Sequence, residues 1–227
     1  MSAFLAPYGE YGGDWLATLL PAAGMTAALT VSAFLLAALL GGLVAALRLS
    51  ASPMLRRLAL CYVEIVRGIP VLTILFLIYF GLPNAGVTLD AFTASMIGLA
   101  ISSSAYLSEV LRTGLDALHK GQREAALAIG MKPGQMYRSI VLPQVLRVTL
   151  PAILSTLIVL LKDSSLCALI TVNELMLTGR ALSTEYFLPL NIFVLIGAIY
   201  FAIAWPLSLL SRHFERRLLR GRRTVAG

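Results

Sequence analysis

The sequence contains few charged residues. Of its 227 residues, only 13% are Asp, Glu, Lys or Arg, whereas 59% are hydrophobic and the mean hydropathy is +0.86. A soluble globular domain is about one quarter charged. The composition therefore argues against a soluble domain and predicts an integral membrane protein, whose length suits a single transmembrane domain over residues 1–227.

Residues that carry catalysis or metal binding are also scarce. There are two histidines and two cysteines, and Cys61 and Cys167 lack metal or redox spacing. No phosphate-binding loop of the form GxxxxGK[ST] occurs. The first 15 residues have no basic stretch, so a cleaved signal peptide is not expected. We therefore expect a non-catalytic chain that holds no cofactor of its own.

Long apolar runs predict an all-α protein with about five transmembrane helices. A helix needs about 20 apolar residues to cross the hydrocarbon core of a bilayer. The predicted spans are 25–47, 58–81, 91–111, 148–172 and 186–210. The longest stretch between spans is the polar segment 112–147, which separates the third span from the fourth.

The distribution of basic residues predicts the orientation. With five spans, the turn 48–57, the segment 112–147 and the tail 212–223 lie on one side and hold nearly all the Lys and Arg, whereas the other side holds Arg180. Basic residues stay in the cytoplasm, so the N-terminus is expected outside and the C-terminus inside. Retention of the basic segments in the cytoplasm and their contact with anionic lipid account for the net charge of +7, so no nucleic-acid partner is needed to explain it.

The segment 112–147 contains a predicted short helix. Residues 122–131, QREAALAIGM, are rich in good helix formers. Gly130 is a candidate helix stop, since Lys132-Pro133-Gly134 follows. The small apolar side of this helix consists of Ala125, Ala126 and Ile129. By periodicity alone, two interpretations of this helix remain open: it lies on the lipid headgroups, or it docks on another protein surface.

The order of residues in this segment carries a resemblance. Glu124-Ala125-Ala126, Gly130 and Ile140-Val141-Leu142-Pro143 match the EAA–G–IxLP loop of the membrane subunits of ABC importers. The chain resembles permeases of the polar-amino-acid branch of that family over most of its length. The flanking segments that share the resemblance are 62–72, 78–83, 105–118, 121–131 and 161–166.

The resemblance implies a type I ABC importer permease fold in the bacterial inner membrane. It implies that the 112–147 loop is a coupling helix docking on a cytoplasmic ATPase, with Glu124, Ala125, Ala126 and Gly130 as contact or turn residues. Two ATPase subunits would use ATP and Mg²⁺, a second permease chain, identical or homologous, would complete the pathway, and a periplasmic binding protein would deliver an amino acid. The main alternative is a self-contained channel or ion-coupled carrier, which the lack of a detectable internal repeat disfavours.

The sequence Lys162-Asp163-Ser164-Ser165 predicts a polar site inside the membrane. Counted from Val148, Lys162 lies about 20 Å into the fourth span. A charge at this depth costs roughly 2.5–3.5 kcal/mol on insertion scales, which implies a partner or a polar cavity. Asp163 either receives a substrate ammonium, assisted by the serines, or pairs with another helix. For Lys162 the structural role is favoured.

Two further charge pairs mark the inner ends of spans two and three. Glu64 and Arg67 are three residues apart and can pair on one helix face, and Pro70 then interrupts the helix. Glu109 and Arg112 repeat this spacing. Both a gate and simple helix pairing fit the second span, whereas pairing is favoured for Glu109.

Overall fold

The computed structural model describes residues 2–118 and 120–223, and all regular structure in these ranges is helical. This confirms the predicted all-α class. The α-helices are α1 (Ser2–Arg48), α2 (Pro53–Gly68), α3 (Val71–Phe76), α4 (Ala91–Asp116), α5 (Lys120–Ala128), α6 (Pro133–Met136), α7 (Leu142–Asp163), α8 (Leu175–Tyr186) and α9 (Pro189–Arg223).

The predicted number of spans agrees with the lengths of these helices. Four described stretches are long and apolar enough to cross a bilayer, namely Phe4–Arg48, Ala91–Asp116, Pro133–Ile170 and Pro189–Leu218. A fifth results if the bent pair Pro53–Gly68 and Val71–Ala85 is counted as one span. The fold is therefore a multi-pass helical membrane protein.

Helix α1 is much longer than the predicted first span, 25–47. It has 47 residues and continues through Pro7 and Pro21, which makes it about 70 Å long against a hydrocarbon core of about 30 Å. Trp15 and Leu19 are fully buried, in a cluster with residues of α8 and α9. This packing outweighs the local cost of Pro7 and Pro21 within the helix.

The predicted second span, 58–81, is not a continuous helix. The chain turns by 104° between α2 and α3. Ile69 has extended backbone angles, φ −102° and ψ 132°, because the ring of Pro70 disfavours the helical region for the residue before it. After α3 the chain forms one π-helical turn, Leu77–Gly81, and a 3₁₀ turn, Leu82–Ala85.

Helices α1 and α4 make the most extensive contact between helices in the described part of the chain. A Cβ built on Gly41 of α1 would lie 2.9 Å from the carbonyl oxygen of Ser104 and 2.9 Å from Cβ of Leu107 on α4. Glycine is therefore required here because the two backbones touch.

At the other end of α4, Asp90 caps the helix by accepting a hydrogen bond from the Thr93 amide at 3.0 Å. Hydrogen bonds from Thr93 hold the pKa of Asp90 below its usual range.

The fourth and fifth predicted spans, 148–172 and 186–210, also have different boundaries. Helix α7 ends at Asp163 and continues as the 3₁₀ segment Ser164–Ile170, after which Thr171 has a left-handed φ of 66°. The segment that follows forms α8, a helix that the sequence analysis did not predict. Phe187, with φ 52°, separates α8 from α9, and α9 continues through the basic tail to Arg223.

Candidate functional site

The predicted helix in the 112–147 segment is present as α5, and Gly130 ends it. Gly130 has φ +80°. Its amide donates to the carbonyl of Leu127 at 3.0 Å, and the amide of Met131 donates to the carbonyl of Ala126 at 3.1 Å. These two bonds form a Schellman motif. A Cβ at Gly130 would meet nothing within 4 Å, so the backbone angle, not the available space, requires glycine.

The adjacent alanines Ala125 and Ala126 of α5 face different directions. Glu124 and Ala125 are exposed, whereas Ala126 is 2% exposed and packs within this chain against Met136, Val141 and Val145. The prediction that Ala126 belongs to an exposed docking side is therefore corrected. Ala126 anchors α5 to the permease, and its small side chain lets α5 approach α6 and α7 closely. Ile129 is 78% exposed and extends the free surface beside Glu124 and Ala125.

Asp163 lies in a cavity of about 320 Å³, here called the Asp163 cavity. Its wall combines hydroxyl groups from α4 and α7 with an apolar contribution from α3, and the lining residues are Val71, Ser102, Ser103, Tyr106, Ser155, Thr156, Val159 and Asp163. Asp163 is the one carboxylate among them, and it forms no hydrogen bond or ion pair with another described residue. The cavity thus presents one carboxylate among hydroxyl groups.

The neighbours of Asp163 in the sequence do not line this cavity. Ser164 is fully buried and donates its hydroxyl proton to the carbonyl of Leu161 at 2.7 Å. Ser165 donates to the carbonyl of Lys162 at 2.7 Å, and Lys162 itself is exposed. The predicted four-residue polar site is therefore reduced to Asp163, because the helical turn points the adjacent side chains in other directions.

The hydroxyl groups that do accompany Asp163 were missed by the sequence analysis. Ser102 and Ser103 come from the middle of α4, and Ser155 and Thr156 lie two turns before Asp163 on α7. The available signal was the run Ser102-Ser103-Ser104 inside an apolar span. Polar residues at that depth indicate a lined cavity or helix contact.

A second cavity, of about 350 Å³, adjoins the first and is here called the Arg67 cavity. It is lined by Arg67, Tyr106, Glu109, Val110, Thr113, Gly114, Ala117, Val148, Thr149, Ala152 and Thr156. Tyr106 and Thr156 line both cavities, and the Arg67 guanidinium lies 5.6 Å from the centre of the Tyr106 ring. A cation above an aromatic face is an attractive arrangement. Tyr106 thus stands between the two spaces, with Arg67 against it.

The two predicted charge pairs have different outcomes. Glu109 does pair with Arg112, at 3.0 Å, and it also binds Arg48 of α1 at 2.6 Å. Glu64 and Arg67 do not pair among the described residues, since Arg67 instead contacts Tyr106. Pro70 lies at the corner between α2 and α3, three residues after Arg67.

The buried carboxylate of Glu174 links the three helices α1, α8 and α9. Glu174 has no exposed surface and caps α8 by accepting a hydrogen bond from the Leu177 amide at 2.9 Å. Its other oxygen accepts from Tyr200 of α9 at 2.9 Å and from Thr26 of α1 at 3.4 Å. Glu174 falls between the predicted spans 148–172 and 186–210, and the sequence alone predicted no role for it. Among the described residues, no group of three or more His, Cys, Asp or Glu side chains is placed to hold a metal ion.

Comparison with known proteins identifies the family. The profile described as "Binding-protein-dependent transport system inner membrane component" matches residues 37–220. The chain belongs to this family and is the membrane-embedded permease component of a transport system. This confirms the resemblance, and the channel or ion-coupled carrier alternative is set aside.

Individual relatives resemble the chain over most of its length. The probable glutamine ABC transporter permease protein GlnP of Bacillus subtilis is 37% identical over 214 residues, covering 92% of this chain and 97% of that protein. The arginine transport system permease protein ArtQ of the same species is 34% identical over 158 residues, 69% of this chain and 72% of that protein. The solved structure of an amino acid ABC transporter with histidines matches with a TM-score of 0.83 and 34% identity, covering 94% of this chain and 98% of that chain.

Proposed function

We propose that this chain is the transmembrane subunit of an ATP-driven importer for a polar amino acid or a close derivative. In this proposal the chain lies in the bacterial inner membrane with its N-terminus outside. A second permease chain completes the pathway, two ATPase subunits supply the energy with ATP and Mg²⁺, and a periplasmic binding protein delivers the substrate. Support comes from the family and from relatives described for glutamine and arginine and a structure described with histidines.

The observation that carries the substrate assignment is the unpaired carboxylate of Asp163 in a hydroxyl-lined cavity. A carboxylate within a membrane span is expensive unless a cation or water offsets it. The ammonium group of an amino acid is such a cation, and the hydroxyls of Ser102, Ser103 and Ser155 supply further hydrogen-bonding groups for a polar ligand. Asp163 therefore binds the substrate ammonium in this proposal.

The path from the ATPase to the cavity runs through the core beneath α5. Ala126 belongs to a buried cluster with Val145 of α7, and Leu111 and Leu115 of α4 pack against the same cluster. Helices α4 and α7 also supply most of the lining of both cavities. A push on the exposed Glu124 side of α5 is thus transmitted as a rigid-body movement of these two helices, which is the usual basis of alternating access.

Tyr106 and Arg67 form the inner closure of the pathway in this mechanism. Tyr106 lies between the two cavities, and Arg67, held over its ring at 5.6 Å, is on α2 next to the 104° corner. Rotation of α2 about Ile69 and Pro70 would separate the guanidinium from the ring and join the two cavities. This assigns Arg67 to a gate and Pro70 to its hinge.

The test of the substrate site uses Asp163→Asn in the complete transporter, reconstituted with its ATPase and binding protein. We expect the substrate concentration for half-maximal uptake to rise about tenfold or more, since a charge-assisted hydrogen bond contributes about 1.5–3 kcal/mol. The control is Asp14→Asn, which removes an exposed carboxylate of α1. Unchanged uptake by Asp163→Asn, or a loss fully explained by lower thermal stability, would contradict the assignment.

A further inference from the structure

A third cavity lies between α7 and α9 and shares no lining residue with the Asp163 cavity or the Arg67 cavity. It has a volume of about 360 Å³ and is lined by Arg147, Phe214, Arg217 and Leu218. Arg147 is on α7, and the other three residues share one face of α9, at spacings of three and four residues. Two guanidinium groups from different helices therefore face one space, beside an apolar wall.

Among the described residues, no acidic side chain forms an ion pair with these two arginines. The lining contains no Asp or Glu, and within the described ranges neither Arg147 nor Arg217 forms an ion pair. Two like charges brought together without a counterion repel each other, so the arrangement favours an anion between them. Guanidinium groups bind phosphate particularly well because their fork of N–H donors matches its oxygens.

The position of the cavity points to a lipid. Arg147 immediately precedes an uncharged run on α7 that extends from Val148 to Leu161. On α9, the hydroxyl of Ser211 donates to the carbonyl of Pro151 at 3.1 Å, which fixes the two helices one turn from Arg147. The cavity therefore opens where both helices leave the hydrocarbon layer, the depth at which phospholipid phosphates lie.

We propose that Arg147 and Arg217 form a binding site for the headgroup of an anionic phospholipid, with Phe214 and Leu218 contacting its glycerol and upper acyl region. The apolar wall favours an amphiphile over a soluble anion. The site attaches the extended part of α9 to the membrane surface and to α7. The inference is independent of which substrate the transporter carries.

The test compares wild type with Arg147→Gln/Arg217→Gln in purified complexes placed in nanodiscs of phosphatidylcholine, with or without phosphatidylglycerol. Native mass spectrometry measures retained phosphatidylglycerol, and thermal melting measures protection. We expect the double variant to retain the lipid at least about tenfold more weakly, given the contribution of each arginine near a membrane surface. The matched control is Arg56→Gln/Arg57→Gln, which removes two exposed charges of α2 outside the cavity.

Three outcomes would overturn the proposal. Equal loss of lipid in the two double variants would mean that only general surface charge matters. If inorganic phosphate or glycerol phosphate in detergent protected wild type against thermal melting as well as phosphatidylglycerol does, the site would be assigned to a soluble anion. Loss of the ATPase subunit from Arg147→Gln/Arg217→Gln, with lipid retention unchanged, would assign the cavity to a protein contact. A single variant, Phe214→Ala, checks the apolar wall and is expected to weaken lipid retention while leaving both arginines in place.

Discussion

Arg48, the last residue of α1, donates a hydrogen bond to Glu109 of α4 at 2.6 Å. The two side chains are only 10% and 21% exposed, and Arg112 binds the second oxygen of the same carboxylate. This arrangement joins α1 and α4, whose backbones touch at Gly41, at the edge of the Arg67 cavity. The ion pair thus fixes the end of α1 to α4, which lines the Arg67 cavity and the Asp163 cavity.

The Arg48–Glu109 pair is expected to contribute measurably to stability. We predict that Arg48→Gln lowers the free energy of unfolding by about 1–3 kcal/mol, since a largely buried, charge-assisted hydrogen bond is lost. Thermal melting of the detergent-purified complex and a double-mutant cycle with Glu109→Gln measure the coupling. The control is Arg112→Gln, whose partly exposed pair should contribute less than about 1 kcal/mol. A larger effect from Arg112→Gln would contradict this ranking.

Glu174 is predicted to hold α8 against α1 and α9. Replacement by Ala removes the cap of α8 and the acceptor of the partly buried Tyr200 hydroxyl, whereas the Thr26 hydroxyl keeps the carbonyl of Ala22. We expect a loss of about 2–4 kcal/mol in unfolding free energy, from the lost cap and the unsatisfied Tyr200 hydroxyl together. Glu174→Gln keeps one acceptor oxygen and should lose less. Equal melting temperatures for Glu174→Ala and wild type would remove this role.

Gly130 is predicted to be essential for the shape of α5. Gly130→Ala forces a side chain into the left-handed region at a local cost of about 1–2 kcal/mol, so it should distort the end of α5 and reduce co-purification of the ATPase. Gly121→Ala is the matched control because Gly121 lies in the same helix without a positive φ and with open space around it. Equal ATPase recovery with both variants would show that the helix end does not matter for docking.

Glu124 is predicted to contact the ATPase. Glu124→Lys reverses an exposed charge on α5, so membrane insertion should be normal while ATPase recovery and ATP-driven uptake both fall. Gln122→Lys adds a positive charge to the same helix and serves as the control. Wild-type recovery and uptake with Glu124→Lys would exclude Glu124 from the docking surface.

The sequence predicted the helical class, the number of spans and the position of α5 because these depend on long apolar runs and on local turn chemistry. Gly130, Lys132 and Pro133 act within a few residues of each other, and their effect on α5 is visible in the sequence. The resemblance of the EAA–G–IxLP loop to a known family supplied the permease function, which composition alone did not determine.

The sequence did not predict features that depend on contacts between distant segments. Helix α1 continues through Pro21 because Trp15 and Leu19 pack on α8 and α9, and Ala126 faces inward because the core of α4, α6 and α7 lies beneath it. Likewise, Ser102 and Ser155 belong to the site of Asp163 only because α4 and α7 are adjacent. The direction in which each side chain points could not be derived from spacing along one helix.

The most direct test of the account is uptake into proteoliposomes that contain this chain, its partner permease and its ATPase, with the binding protein and a radiolabelled amino acid on the side of the membrane that the outer face of the permease contacts. A panel of polar amino acids identifies the substrate. The account predicts accumulation that requires ATP at the ATPase face and the binding protein at the other, and that is lost when the ATPase is omitted. Accumulation that continues without ATP and the ATPase, or that follows an imposed ion gradient, would contradict it.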